Sequence, residues 1–292
     1  MGVYAVTGSY SGMGAAVVER LEGAGHRVIT VDLHEARVVA DLATAAGRRS
    51  AVEAVLASCD GRLDGAVLAA GVGPSPGSDR IRLITQLNYF GVVELLQGWR
   101  DALAAGATNE QSAKVVAFAS NSSTTVPMVP RRAIRALLDG DGQRAERAFK
   151  PLQMCGAGRT ATPLAYAASK IALARWVRRT AVTRAWAGSG IRLNAIAPGA
   201  VLTPLLEQQL ATPAEAKQIR SFPVPVGGYG DAGALADWVV FMLSPAAEFL
   251  CGSLVFVDGG SDAWFRADDW PAAVRRRDTL RYLARMRESK RR

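Results

Sequence analysis

The sequence predicts an α/β protein: one doubly wound parallel sheet of about seven strands, with helices on both faces, in a single domain. Three observations predict it. Short apolar runs of strand type alternate with amphipathic stretches of helix type along most of the 292 residues, and that alternation buries a parallel sheet between two helix layers. The first run, Val3-Tyr4-Ala5-Val6, leads straight into a glycine-rich turn and a helix. Residues suited to ligand contact fall at the carboxyl ends of the runs, where such sheets bind.

The elements follow in order. After residues 3–6 comes Thr7-Gly8-Ser9-Tyr10-Ser11-Gly12-Met13-Gly14, then a helix that ends near Gly23 or Gly25. Glycines there let the backbone of Gly8, Ser11, Gly12, Met13 and Gly14 approach a pyrophosphate, whose charge meets a helix N-terminus. A second strand, 28–31, ends in Asp32, an acid placed either to accept hydrogen bonds from adenosine ribose hydroxyls or to shape a turn. A third strand spans Val38 to Leu42, too close to Asp32 for a crossover helix, so a loop or single turn is expected between them. Residues 47–58 read as a helix, Asp64 to Gly71 as a fourth strand, and 82–105 as a long helix with an apolar stripe that includes Leu83 and Leu87 and with Asn88 inside it. A fifth strand, Val115 to Ala119, runs into Ser120-Asn121-Ser122-Ser123. Residues 124–162 break the alternation and read as an insertion with a polar helical piece near 131–150. A helix to about Ala187 follows, then a sixth strand from Ile191 to Ala197 ending in Pro198-Gly199. Residues 200–228 read as a loop with scattered prolines, 231–243 as a helix and 254–257 as the seventh strand. The whole predicts a Rossmann-type domain over 1–265, with a basic tail over 266–292.

Composition narrows the function classes. No run of 18 apolar residues occurs, so no membrane span is expected. The first strand is read from the third residue, so no signal peptide is expected. Cys59, Cys155 and Cys251 are scattered and odd in number, as expected of free thiols in a reducing, cytoplasmic setting. His26 and His34 sit in no ligand-like cluster, and no metal site is expected. The net charge is +9, but nine basic and two acidic residues fall between Arg275 and Arg292. The basic character therefore belongs to a tail and not to a groove. The preferred reading of that tail is a solvated helix or frayed end; binding to an anionic surface or nucleic acid is the other, and nucleic acid is not an expected partner.

The chemistry centres on Tyr166-Ala167-Ala168-Ser169-Lys170. A tyrosine and a lysine four apart share one helix face, roughly 6 Å apart along the axis. An ammonium there favours the phenolate of a group whose ordinary pKa is about 10. The pair can thus move a proton to or from an alcohol oxygen, although such pairs also occur on ordinary exposed faces.

With these landmarks in order, the sequence resembles the short-chain dehydrogenase/reductase family over residues 3 to about 262. The matching positions are Thr7-Gly-x-x-x-Gly12-x-Gly14, Asp41-Leu42, Ala70-Gly71, Asn88, Ser120, Tyr166-x-x-x-Lys170, Asn194, Pro198-Gly199 and Thr203. The short path from Asp32 to Asp41 and the long insertion before Tyr166 look closest to its bacterial 3α-hydroxysteroid dehydrogenase/carbonyl reductase group. The resemblance implies that Tyr166 is the acid/base, that Lys170 lowers its pKa and holds the nicotinamide ribose, that Ser120 holds the substrate oxygen and that Asn88 positions a relay water. It further implies that Leu33, Asp41, Leu42, Ala70 and Gly71 line the cofactor site, with Val201 and Thr203 beside the carboxamide. Asp32, followed by Leu33 and His34 without Arg or Lys, favours NAD(H). The family's Asn-Asn-Ala-Gly is Leu68-Ala69-Ala70-Gly71 here, so contacts from those asparagine side chains are missing. The expected activity interconverts a secondary alcohol and a ketone, such as a hydroxysteroid or another bulky apolar carbonyl. A catalytically silent dinucleotide sensor is the alternative. The family's pairing through long helices implies a homo-oligomer, a dimer where the insertion obstructs tetramer formation.

Overall fold

In the computed structural model, which describes residues 1–77, 79–108, 110–154, 158–270 and 273–289, the apolar runs form one seven-stranded sheet. The strands are β1 (Val3–Thr7), β2 (Arg27–Asp32), β3 (Val38–Val39), β4 (Gly65–Leu68), β5 (Ala113–Phe118), β6 (Ile191–Pro198) and β7 (Leu254–Val257). Their order is β3-β2-β1-β4-β5-β6-β7 and every pairing is parallel. Chain order reverses at β1, between β2 and β4. The carboxyl ends of those strands therefore frame the crevice where open sheets of this kind bind ligands.

The helices are α1 (Gly12–Gly23), α2 (Ala45–Ser58), α3 (Arg80–Thr85), α4 (Gly91–Gly106), α5 (Ser122–Thr125), α6 (Arg131–Leu138), α7 (Gly142–Arg147), α8 (Lys150–Met154), α9 (Gly158–Thr180), α10 (Pro204–Ala211), α11 (Pro213–Ser221), α12 (Ala232–Leu243), α13 (Ser261–Arg266) and α14 (Thr279–Ser289). Two cores result. One places α2, α4 and α9 on a sheet face through Ala51, Val55, Leu95, Trp99, Ala168 and Leu173. The other places α1 and α12 on the opposite face through Val17, Leu21, Leu235 and Val239.

Four local departures from the sequence reading have physical causes. The third strand is two residues long, because Ala40 N bonds Asp32 O (2.9 Å) and the chain then bends at Asp41, whose Oδ1 accepts from Ala43 N (3.0 Å). The long helix expected over 82–105 is split into α3 and α4 by a π turn, Gln86–Phe90. Residues 200–228 are not a continuous loop: they hold α10 and α11, and Pro204 and Pro213 stand at their first positions. Proline is favoured there, since the N–H it lacks would be unpaired anyway. The Tyr166 helix ends at Thr180, seven residues short of the expectation, and begins at Gly158 with Pro163 inside it.

The insertion is helical, with α6, α7 and α8 wrapped against α9 and α3. Cys59 is buried and Cys251 half-buried, both as free thiols, whereas Cys155 lies outside the described residues, as do 271–272 and 290–292 of the tail. No helix among the described residues is long and apolar enough to cross a membrane.

Candidate active site

The turn after β1 is built for close approach. Gly8 (φ 68°) donates its N–H to Val31 O (2.9 Å), and a methyl group on it would lie 2.6 Å from Ala70 N. A methyl group on Gly14 would lie 2.0 Å from Gly8 O, so only glycine lets α1 start this near the strand. The Ser11 side chain makes no capping bond to α1. The first N–H groups of that helix are thus left to an anion in front of it. Ser9 Oγ is buried with no protein partner among the described residues, a second polar group in this turn available to a ligand.

That turn opens on a cavity of about 350 Å³. Its walls contain twelve of the expected cofactor contacts: Gly8, Ser11, Gly12, Met13, Gly14, Asp32, Leu33, Asp41, Leu42, Ala70, Gly71 and Thr203. The Asp32 carboxylate is held in place by backbone, with Oδ2 accepting from Tyr10 N (3.0 Å) and Oδ1 from Leu33 N (2.7 Å). Thr203 caps α10 and packs on the glycine-rich turn, where a methyl group on Gly12 would come 3.2 Å from its Cγ2. Pro198, Gly199 and Val201 are not in these walls. Pro198 O accepts from Asn121 N (3.0 Å), Gly199 packs against Asp258 and Val201 is buried beside Gly230. Those three shape the route from β6 to the wall.

The fit to a dinucleotide is good: a glycine cradle that a Cβ would fill, an uncapped helix end, an orphaned buried hydroxyl and a fixed acid at the end of β2. Sequence reasoning missed His34, Val72 and Pro204 in the walls, and took Leu83 and Leu87 for core stripe although they face the cavity. Periodicity cannot separate those outcomes, since a core and an apolar pocket select the same residue types.

Ser120, Tyr166, Lys170 and Asn88, the expected catalytic residues, are not in these walls either, but two of them adjoin Gly71. A methyl group on Gly71 would come 3.1 Å from Asn88 Oδ1 and 3.9 Å from Lys170 Nζ, so this glycine brings both to the inner end. Lys170 is buried and donates to Phe118 O (2.7 Å), the last residue of β5. Burial pulls its pKa down to about 8. Its Nζ lies 5.8 Å from the Tyr166 ring centre. Tyr166 is hydrogen-bonded to Ser120, yet burial outweighs that bond and pushes the phenol above its ordinary 10. The expected lowering by Lys170 is therefore not the dominant influence here, because the ammonium is aimed at a carbonyl and the phenol has lost water.

Ser120 also takes two bonds from the turn that follows, from Ser122 N (3.2 Å) and Ser122 Oγ (3.0 Å). Asn88 sits in the π turn, fully buried, with Nδ2 donating to Val72 O and Oδ1 accepting from Val72 N, both 2.9 Å. Its side chain is engaged in holding the segment after β4. Such π turns recur at functional sites.

Comparison with known proteins decides the family. The chain is 38% identical over 266 residues to the 3-alpha-hydroxysteroid dehydrogenase/carbonyl reductase of Comamonas testosteroni, covering 91% of this chain and 98% of that protein. The chain belongs to the short-chain dehydrogenase/reductase family. It is an oxidoreductase acting on CH–OH groups, interconverting a secondary alcohol and a ketone. Its structure superposes on the 3-alpha-hydroxysteroid dehydrogenase of Pseudomonas sp. B-0831, solved with NADH, with a TM-score of 0.81 and 43% identity over 91% of this chain and 99% of that one. A tropinone reductase homolog of Arabidopsis thaliana is 26% identical over 87% of the chain and 77% of its own length. A model described as enoyl-(acyl carrier protein) reductase matches residues 153–262.

Proposed function

We propose that this oxidoreductase uses NAD(H) on bulky apolar substrates, with Tyr166 as acid/base, Ser120 as the oxygen-holding donor, and Lys170 and Asn88 in support. The observation that carries the reading is the Tyr166–Ser120 hydrogen bond, set beside buried Lys170 where the cavity meets Gly71. When bound, NAD(H) supplies or accepts the hydride; the side chains handle the proton and the developing charge on oxygen. In reduction, Tyr166 gives its proton to the carbonyl oxygen while Ser120 donates to the same atom. In oxidation the phenolate takes the proton back. Lys170 contributes positive charge near the phenol and, with Asn88, orders the inner end of the cavity. Leu83, Leu87, Leu205 and Val72 make its walls apolar, which suits a large hydrophobic ketone. Purified protein should consume NADH with such ketones; inertness toward a broad panel of steroids, aryl ketones and aliphatic ketones would favour the sensor alternative.

Cofactor choice follows from Asp32. A 2′-phosphate at this wall meets a fixed carboxylate, with repulsion of roughly several kcal/mol at short range before screening. NADH should outperform NADPH, and Asp32→Ala should narrow the gap in kcat/KM. An unchanged ratio would show that the acid does not select.

The acid/base assignment has a pH signature. The phenol is held above 10 and Lys170 near 8. Neutral phenol, the proton donor, dominates through neutral pH, so ketone reduction should be flat there. Alcohol oxidation needs phenolate and should climb into the alkaline range. Oxidation that stays flat across that range would exclude Tyr166 as the base.

We also propose a cytoplasmic homodimer. Insertion helices α6 and α8 pack against α9, leaving the covered face poor for pairing. At the far end of the sheet β7 has one free edge, and Trp238 and Phe241 of neighbouring α12 are half-exposed. Phe241→Asp should convert a dimer to a monomer in light scattering; a tetramer built through α4 and α9 would reject the scheme.

A further inference from the structure

The tail remains outside the chemistry described so far. The Comamonas and Pseudomonas relatives are matched over nearly their whole length, yet about a tenth of this chain is left over, a share the size of the C-terminal segment. That segment carries α14, an eleven-residue helix, after the Arg275-Arg276-Arg277 run. Leu280, Leu283 and Met286 recur at three-residue spacing along one side, with Tyr282 beside them. Arg281 and Arg285 lie on the other side, while Arg287, four residues after Leu283 and seven after Leu280, falls on the apolar side, where its long stem can carry the charge outward. None of the apolar side chains is buried: Leu280 is 82% exposed, and Tyr282, Leu283 and Met286 about half. The approach to the helix is also apolar and aromatic, with Trp264, Trp270 and Val274 each more than 60% exposed.

We propose that this C-terminal helix is an anchor for an anionic lipid bilayer, lying in the interface with its leucines in the acyl boundary and its arginines at the headgroups. A short basic amphipathic helix flanked by tryptophan has the chemistry of an interfacial segment. Two features select this occupant. The excess of nine basic over two acidic residues from Arg275 onward favours an anionic partner and opposes a second copy of the same tail. The exposed leucines would gain little in a phosphate-lined nucleic-acid groove, where only the tryptophans could stack on bases. A bilayer rewards both at once.

The test uses the full-length chain with vesicles of phosphatidylcholine alone, and of phosphatidylcholine mixed with phosphatidylglycerol. Flotation should recover protein with the anionic vesicles only, and added salt should release it. The double variant Arg281→Glu/Arg285→Glu should lower partitioning by about tenfold or more, and so should Leu280→Ser/Leu283→Ser, because charge and apolar contact act together. Both variants should retain wild-type NADH oxidation, which shows that they fold. Equal partitioning onto neutral vesicles, no partitioning at all, or loss in the charge variant with none in the leucine variant would each overturn the proposal. The last result, joined to binding of a single-stranded RNA by the leucine variant, would assign the tail to nucleic acid. Failure of the ketone panel would leave this result untouched, since flotation needs no turnover.

Discussion

Tyr166→Phe should cost about 10²–10⁴-fold in kcat, the range that a positioned acid/base contributes, while NADH binding stays nearly unchanged. The substitution removes one oxygen and keeps the ring that packs beside Lys170. It also frees Ser120 from its bond to the phenol, but Ser120 remains held by Ser122 N and Ser122 Oγ, so the site should not collapse. The measurement is single-turnover hydride transfer alongside a fluorescence titration with NADH. Loss of transfer with intact binding assigns the proton to Tyr166. Substantial residual transfer would move the acid/base elsewhere. Weakened binding to the same extent would mean that the phenol is a cofactor contact and not the proton donor. Lys170→Ala is expected to differ by failing in both assays. It removes a buried cation from Phe118 O and from the inner end of the cavity, so β5 and the Gly71 segment both lose a restraint.

The sheet was legible because its strands are continuous apolar runs separated by helices of ordinary length, a pattern few other architectures share. Where reading failed, a local rule had two outcomes. Pro204 and Pro213 mark loops in one context and helix starts in another. Val38 to Leu42 is apolar enough for a strand, but Asp41 bonds its own backbone and turns the chain toward the cavity after two residues. The π turn at Gln86–Phe90 left no trace in the apolar stripe, since Asn88 to Val93 are buried without a break and so broad a face shows no change of phase.

The site was legible to a similar degree. Glycine spacing placed the tight turn that lines the cavity, because Gly8 and Gly14 are required by backbone distances that no other residue satisfies. The wall residues Leu83 and Leu87 could not be told from core, and the support given to Leu42 by Arg48 was invisible. Arg48 is buried, pairs with Glu94 (2.6 Å) and donates to Leu42 O (3.2 Å), linking the cavity wall to α4 across the fold. Nothing local to Arg48 marks it, since its ion-pair partner Glu94 lies far along the chain. The sign of the Tyr166 shift also needed coordinates. A lysine four residues away argues for a lowered pKa, and only the burial of the phenol reverses it.

Ser120→Ala should be the damaging member of a three-variant series, with kcat reduced about 10²–10³-fold, the range for losing one donor to a developing oxyanion. Strand β5 ends at Phe118, and Ala119 N still bonds Ile196 O (2.8 Å), so Ser120 emerges at the carboxyl edge as its register predicts. It alone of the three serines is bonded to Tyr166. Ser122 and Ser123 already belong to the short helix α5. Ser122 nevertheless touches the chemistry through its bond to Ser120 Oγ, and removing one such neutral bond is worth about 1 kcal/mol. Ser122→Ala should therefore lower kcat a few-fold, by letting the Ser120 hydroxyl rotate. Ser123 Oγ is buried with no partner among the described residues, so Ser123→Ala removes no bond and should be silent in kcat. Side-by-side assays of kcat and KM for a bulky ketone decide the order. If Ser122→Ala were as damaging as Ser120→Ala, the donor to the substrate oxygen would be Ser122, and Ser120 would serve only to hold the phenol. If Ser123→Ala were the dead variant, its buried hydroxyl would be facing substrate, and the α5 turn would have to reorganise when substrate binds.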